Sequence, residues 1–340
     1  MSIWLFRAGK SGEYENKFIS DKRIYLTWDD LNIDLNTVES KQELYKILIN
    51  QYELEKEKTA INWASQIWPI ANRMEKGDWV VLPSKINRTI HFGEIIGDYV
   101  YDESLGSPYY HYRNVRWFSL DIPRDRFDQD ILYSLGAFMT VCRIWKNNAE
   151  ARIKQMYEND WNIPKGIPFN ELVDESEDIV SVDLNEYIFD KISERIIQKF
   201  KGHKMEELIE EILKAKGFVT YRSPEGADHG VDLLASGDRM GFGSPKICVQ
   251  VKTTDNPIDR PTLDQLVGTM SNFNADYGLL VSWSGFKTTV NKEVPKQFFK
   301  VRLWDSKNII EEIFANYENL SDKIKAEIPL RRVWMLNDED

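Results

Sequence analysis

Apolar positions along this 340-residue chain change their period several times, and each change predicts an element. Met205, Leu208, Ile209, Ile212 and Leu213 recur at three- and four-residue steps, which predicts an amphipathic helix, and Gly217 stands where a C-terminal capping glycine is expected. Residues 231–235 and 247–251 are short apolar runs that read as core strands, joined by a turn-rich loop over 241–245. Upstream, residues 3–7, 24–26, 79–83, 89–97 and 111–117 read as strands. Residues 44–61 read as a helix that continues over 62–68 as far as Pro69, and residues 134–157 as one or two helices. Pro164, Gly166 and Pro168 then break the pattern. A helix is expected over about 184–200, and in the tail a helix over 308–317 precedes a second, charged one.

Two of these strands carry residues that packing does not explain. Asp232 sits in an apolar strand start, and Lys252 ends the next apolar strand. A buried unpaired charge is costly, so each needs a partner. One reading is a structural ion pair across adjacent strands. The other is a metal site, in which Asp232, the side-chain oxygen of Gln250 and the carbonyl of Val251 offer the hard oxygen ligands that Mg²⁺ takes. Lys252, two residues beyond Gln250, lies on the same strand face and points at the same spot. There it would orient or polarise a water for attack on a phosphodiester, while the metal stabilises charge on the phosphorane.

With Met205-Glu206 opening the helix, Gly230-x-Asp232 and Gln250-x-Lys252, this stretch resembles the Mrr-type restriction endonuclease domain of the PD-(D/E)xK nuclease superfamily. The resemblance covers roughly residues 198–305 and takes in Asp264-Gln265-Leu266-x-Gly268, the strand 277–282 and Ser284-Gly285-Phe286. It implies a restriction-endonuclease-like α/β/α core that uses Mg²⁺ or Mn²⁺. In that family, Gln often replaces the second acid. By resemblance, Asp232 and Gln250 bind the metal, Lys252 is catalytic, and Glu206 supports the site from the first helix. Asp228 matches an acidic position of the family's loop.

The charge balance is acidic. The chain carries 44 Lys and Arg against 55 Asp and Glu, a net charge of −11. That balance argues against strong non-specific duplex binding and for a specific pocket or a partner. Acid is densest over 171–194, where Lys191 is the only base, and this segment reads as a solvated linker. Cys142 and Cys248 lie far apart in apolar surroundings and read as buried thiols of a reducing compartment. No apolar run is long enough to cross a membrane and no signal-peptide pattern opens the chain, so a cytoplasmic protein is expected. His91 and His111 read as residues of a barrel, and His229 as a surface loop residue. No zinc spacing and no Gly-Lys-Ser/Thr phosphate loop occurs, so no NTP motor is expected in this chain.

The N-terminal strands carry Gly77-Asp78-x-Val80-Val81, Gly93-Glu94-Ile95-x-Gly97-x-Tyr99 and His111-Tyr112-Arg113-x-Val115-x-Trp117. They resemble PUA-like and EVE-like small β-barrel modules over about residues 1–125, some of which hold a flipped base in an aromatic pocket. An extruded base needs ring faces to stack on and a few hydrogen-bonding groups. Trp28, Trp63, Trp68, Trp79 and Trp117 are the candidate rings, each with core packing as its competing role. Arg113 and Arg116 fall on opposite strand faces, so at most one of them, Arg113 being the candidate, faces a site.

The sequence thus reads as a two-domain α/β and α+β protein. A PUA/EVE-like sensing domain with trailing helices spans residues 1–160, an acidic linker and helix 161–197, and an Mrr-like nuclease with a helical tail 198–340. The expected activity is Mg²⁺-dependent cleavage of DNA, through recognition of a modified base, in prokaryotic restriction or phage defence. A double-strand break needs two such sites, hence a homodimer or two binding events. The competing reading is a nucleic-acid or nucleotide sensor whose nuclease domain is inactive alone or is switched on by a partner or small nucleotide.

Overall fold

The structure, a computed structural model, describes residues 1–137, 139–162, 184–224, 230–254 and 256–333. The break at 164–168, most of the acidic linker, Asp228 and His229 lie outside the described residues. The chain divides into two compact units, Met1–Tyr187 and Ile188–Asp340.

The first unit is built on β1 (Ile3–Phe6), α1 (Glu15–Asp21), β2 (Arg23–Tyr25), α2 (Lys41–Tyr52), α3 (Glu57–Asn72), β3 (Trp79–Pro83), β4 (Thr89–Tyr101), β5 (His111–Pro123), α4 (Gln129–Leu135), β6 (Val141–Arg143) and α5 (Ala149–Glu158). Its sheet runs β2-β5-β4-β3-β1-β6, with β1 and β3 parallel and the other neighbours antiparallel. All four residues of β1 are buried because both faces of the sheet are covered. Trp4 and Phe6 pack with Phe18, Leu44, Leu48, Ala64 and Ile67 from α1 to α3. Ile3 and Leu5 pack on the other face with Ile131, Leu135 and Ile153 from α4 and α5. A strand buried on both faces needs no polar alternation, and this one has none.

This is not the expected small barrel. Among the described residues the sheet stays open, with β2 and β6 as its edges. Helices on both faces bury the apolar surface that closure would otherwise have to bury. His91 and His111 accordingly lie in strands of an open sheet.

Three local expectations also change. The single helix over 44–68 is two helices, parted at Glu53, whose φ of 48° is left-handed and ends α2. Pro69 does not stop α3, which runs on to Asn72. Within 134–157, Val141 and Cys142 pair with Phe6 and Leu5, so a strand stands where helix was expected. Cys142 is partly buried rather than core, whereas Cys248 is buried and its thiol is pushed up to about 11 by that burial.

The helix over Leu184–Phe200 (α6) leads into the second unit, which continues with α7 (His203–Ala215), β7 (Val219–Arg222), β8 (Leu233–Ser236), β9 (Lys246–Lys252), α8 (Arg260–Asn272), β10 (Tyr277–Ser282), α9 (Thr288–Asn291), α10 (Val294–Gln297), β11 (Val301–Trp304), α11 (Ser306–Asn316) and α12 (Asp322–Glu327). The sheet order is β11-β10-β9-β8-β7. β11, β10 and β9 are parallel, and β8 pairs antiparallel with both β9 and β7. The two faces are again covered. Val249 and Val251 join α6, α7, α11 and α12 on one side, while Cys248 and Leu280 join Leu263, Leu266 and Met270 of α8 on the other. The result is a three-layer α/β/α unit.

Candidate active site

The period of two along β9 sorts its residues. Val249 and Val251 enter the core under α7, which leaves Gln250 and Lys252 on the face that carries Cys248. The β8/β9 register runs from Ser236↔Lys246 to Leu233↔Val249. Two hydrogen bonds hold Asp232 against β9 just beyond it. The Asp232 N–H donates to the Val249 carbonyl at 3.0 Å. Its carboxylate Oδ2 accepts the Val251 N–H at 2.6 Å. A carboxylate held this tightly by a backbone donor is locked onto the strand that bears Gln250, Val251 and Lys252.

Gln250 is only 2 % exposed, yet its Oε1 has no hydrogen-bond partner among the described residues. An unsatisfied buried acceptor costs about 1–3 kcal/mol, so it is retained only for a reason. A second orphan stands nearby in the fold. Ser282 is fully buried, its Oγ has no partner among the described residues, and it pairs in register with Lys252 as Leu280 does with Gln250. Residues in register on parallel strands share a face, so Gln250, Lys252 and Ser282 share one. Lys252 is partly buried and has no ion-pair partner among the described residues. The carboxylate of Asp232 is therefore not neutralised by Lys252.

No group of three His, Cys, Asp or Glu among the described residues could form a metal centre. An ion on this face would instead draw on one carboxylate, one amide oxygen and one main-chain carbonyl, all hard oxygen donors. The orphaned Oε1 of Gln250 fits that demand. Glu206 stands apart from this face: it lies in the first turn of α7, and its Oε1 meets His203 Nδ1 at 2.8 Å. α7 packs on the opposite side of the sheet from Gln250.

The five candidate tryptophans do not all come together. Trp63 packs edge-on against Trp28 and Tyr52 at 5.9 and 5.3 Å. Trp68 and Trp117 are partly buried against the same core, and the Trp117 Nε1–H donates to the Phe18 carbonyl at 3.1 Å. Trp79 belongs to the other face, against Phe118 and Tyr157 at 4.7 and 5.3 Å. Five rings divided between two faces of one sheet do not line one cavity. Arg113 is 4 % exposed and donates to the carbonyls of Ile70, Gly97 and Ala71. It satisfies the end of α3, where helical carbonyls lack partners.

Comparison with known proteins agrees with the geometry of the second unit. Residues 197–313 match a family described as "Restriction endonuclease", and residues 4–136 match one described as "Domain of unknown function (DUF8426)". Among curated proteins, the type IV methyl-directed restriction enzyme EcoKMrr of Escherichia coli K12 is 22 % identical over 147 residues, covering 42 % of this chain and 47 % of that protein. The chain thus matches about half the length of that relative. Among solved structures, the DNA modification-dependent restriction endonuclease AspBHI is 15 % identical, with 74 % of this chain and 67 % of that chain covered and a TM-score of 0.31. The MspJI restriction endonuclease in complex with a 27-mer oligonucleotide is 13 % identical, with 91 % and 73 % covered and a TM-score of 0.33. Scores of that size assign no fold to the whole chain. What the sequence match supports is narrower: residues 197–313 are similar to a restriction endonuclease family.

Proposed function

We propose that this protein is a divalent-metal-dependent DNA endonuclease of a prokaryotic restriction or defence system, and that it acts on DNA carrying a modified base. The observation that carries the metal part is the buried, unpartnered Oε1 of Gln250 beside a carboxylate pinned to the next strand. Asp232, Gln250 and the Val251 carbonyl would hold Mg²⁺ or Mn²⁺. When bound, the metal supplies charge stabilisation for the pentavalent phosphorus.

The chain's own residues do the rest. Asp232 keeps its position because the Val251 N–H holds one of its carboxylate oxygens. Lys252 shares a face with Gln250 and orients the attacking water by hydrogen bonding. The water oxygen bonds to phosphorus, the bridging P–O bond breaks, and the departing oxygen takes up a proton. Each site cuts one strand, so a double-strand break calls for a homodimer or two binding events. The similarity to a methyl-directed restriction enzyme supports modified DNA as the substrate class. In this reading the first unit senses that DNA.

The test is cleavage with Mg²⁺ of three matched DNAs, unmodified, cytosine-modified and adenine-methylated, by wild type and Lys252→Ala. Cutting of one modified DNA, reduced on the order of 10²–10³-fold in the variant, is expected. Equal cutting of all three sinks the modified-base reading, and cutting that survives Lys252→Ala sinks the site.

A further inference from the structure

A groove of 1330 Å³ in the first unit is lined by Lys41, Lys58, Arg73, Arg143 and Lys146, and by no carboxylate among its lining residues. In a chain of net charge −11 that is an uneven distribution. Several surface lysines elsewhere are paired with acids, Lys17 with Asp21, Lys76 with Asp98 and Lys199 with Glu327. Within the groove Arg143 pairs with Glu150 at 2.9 Å, but Lys41, Lys58 and Arg73 have no ion-pair partner among the described residues. Burial and then the like charge of Arg73 pull the Lys41 pKa below its ordinary value. Cations gathered this closely repel one another until a counter-charge arrives.

The groove also presents a ring. Trp145 is 46 % exposed, with the Lys146 ammonium 5.9 Å from its centroid. An exposed tryptophan edged by cations is the pairing that binds a base through its face and a strand through its phosphates. Small-molecule sites occupy about 300–1,000 Å³, so an open groove of this size suits a polymer better than a single nucleotide.

We propose that the first unit grips DNA in this groove, with phosphates on Lys41, Lys58 and Arg73 and a base against Trp145. The inference rests on the reading of DNA as substrate and places its contact away from the tryptophans chosen from sequence.

The test uses the full chain in EDTA, so that nothing is cut, with labelled duplex and single-stranded DNA over a salt series. In the triple variant Lys41→Ala, Lys58→Ala, Arg73→Ala, the log–log salt slope should fall by about 2–3, near one unit per lost phosphate contact. Trp145→Ala should weaken single-strand binding roughly tenfold. Lys58→Arg, which keeps the charge, should bind as wild type does. Unchanged affinity and slope in the triple variant overturns the groove while leaving the endonuclease reading intact. Quenching of tryptophan fluorescence by a free nucleotide, without DNA binding, overturns the choice of ligand. A wild type that binds DNA through the groove yet never cuts it with Mg²⁺ sinks the endonuclease reading alone.

Discussion

Arg113 in the first unit and Gln250 in the second are both buried in a sheet, 4 % and 2 % exposed. Arg113 directs its guanidinium to three main-chain carbonyls of its own unit. Gln250 keeps an acceptor oxygen empty next to a carboxylate that the neighbouring strand holds in place. His111 follows Arg113: fully buried, it has Nδ1 2.8 Å from the Tyr99 hydroxyl and Nε2 2.7 Å from the Leu31 carbonyl. A buried polar group whose bonds are complete is part of the scaffold. One whose bonds are incomplete marks where something else binds. The contrast separates two residues that sequence placed side by side as site candidates.

Breaking the closed side of the comparison should have the largest effect. Arg113→Ala strands the carbonyls of Ile70 and Gly97 in the interior, at about 2–4 kcal/mol. Calorimetry of the full chain should show the first unit melting roughly 5–15 °C lower. Metal binding by the second unit should not change. The open side should behave in the opposite way. Gln250→Leu removes an unsatisfied acceptor at similar volume, so melting in EDTA should hold or rise, by about 1 kcal/mol. A loss of several kcal/mol would mean that Gln250 is scaffold after all.

A further effect is on pH. Burial pulls the His111 pKa below its ordinary value of 6.5, so the unfolded chain takes up this proton before the folded one does. Its neutral form favours folding above pH 6.5, and that stability is lost as pH falls below it, by at most about 1.4 kcal/mol per unit. Melting curves from pH 7.5 to about 5 should show the first unit weakening, and His111→Gln should flatten the slope.

Much of the second unit was legible in the sequence. The period of α7 and the apolar runs of β8 and β9 survive in the structure because they are local patterns. Spacing also set Gln250 and Lys252 on one face. Ser282 could not be found that way, since a serine in a strand is unremarkable until its hydroxyl proves to lack a partner. The first unit was harder to read. Apolar runs such as Ile3–Phe6 serve an open sheet with two covered faces as well as a barrel, and only the strand order decides between them. Glu53 ends α2 in a left-handed conformation without the glycine that usually announces one. The groove had half a signal: Lys58, Asn62, Ser65, Pro69 and Arg73 follow each other at three- and four-residue steps along α3. The arrival of Arg143, Trp145 and Lys146 at the same place is a long-range contact that no local pattern records.

The proposed metal site rests on the unpartnered oxygen of Gln250. Titrating Mn²⁺ into wild type and Gln250→Leu, with melting in EDTA as the folding control, decides it. Wild type should bind the ion and melt higher with it, while the variant, as stable as wild type in EDTA, loses that binding. Equal Mn²⁺ binding by both proteins would contradict the account.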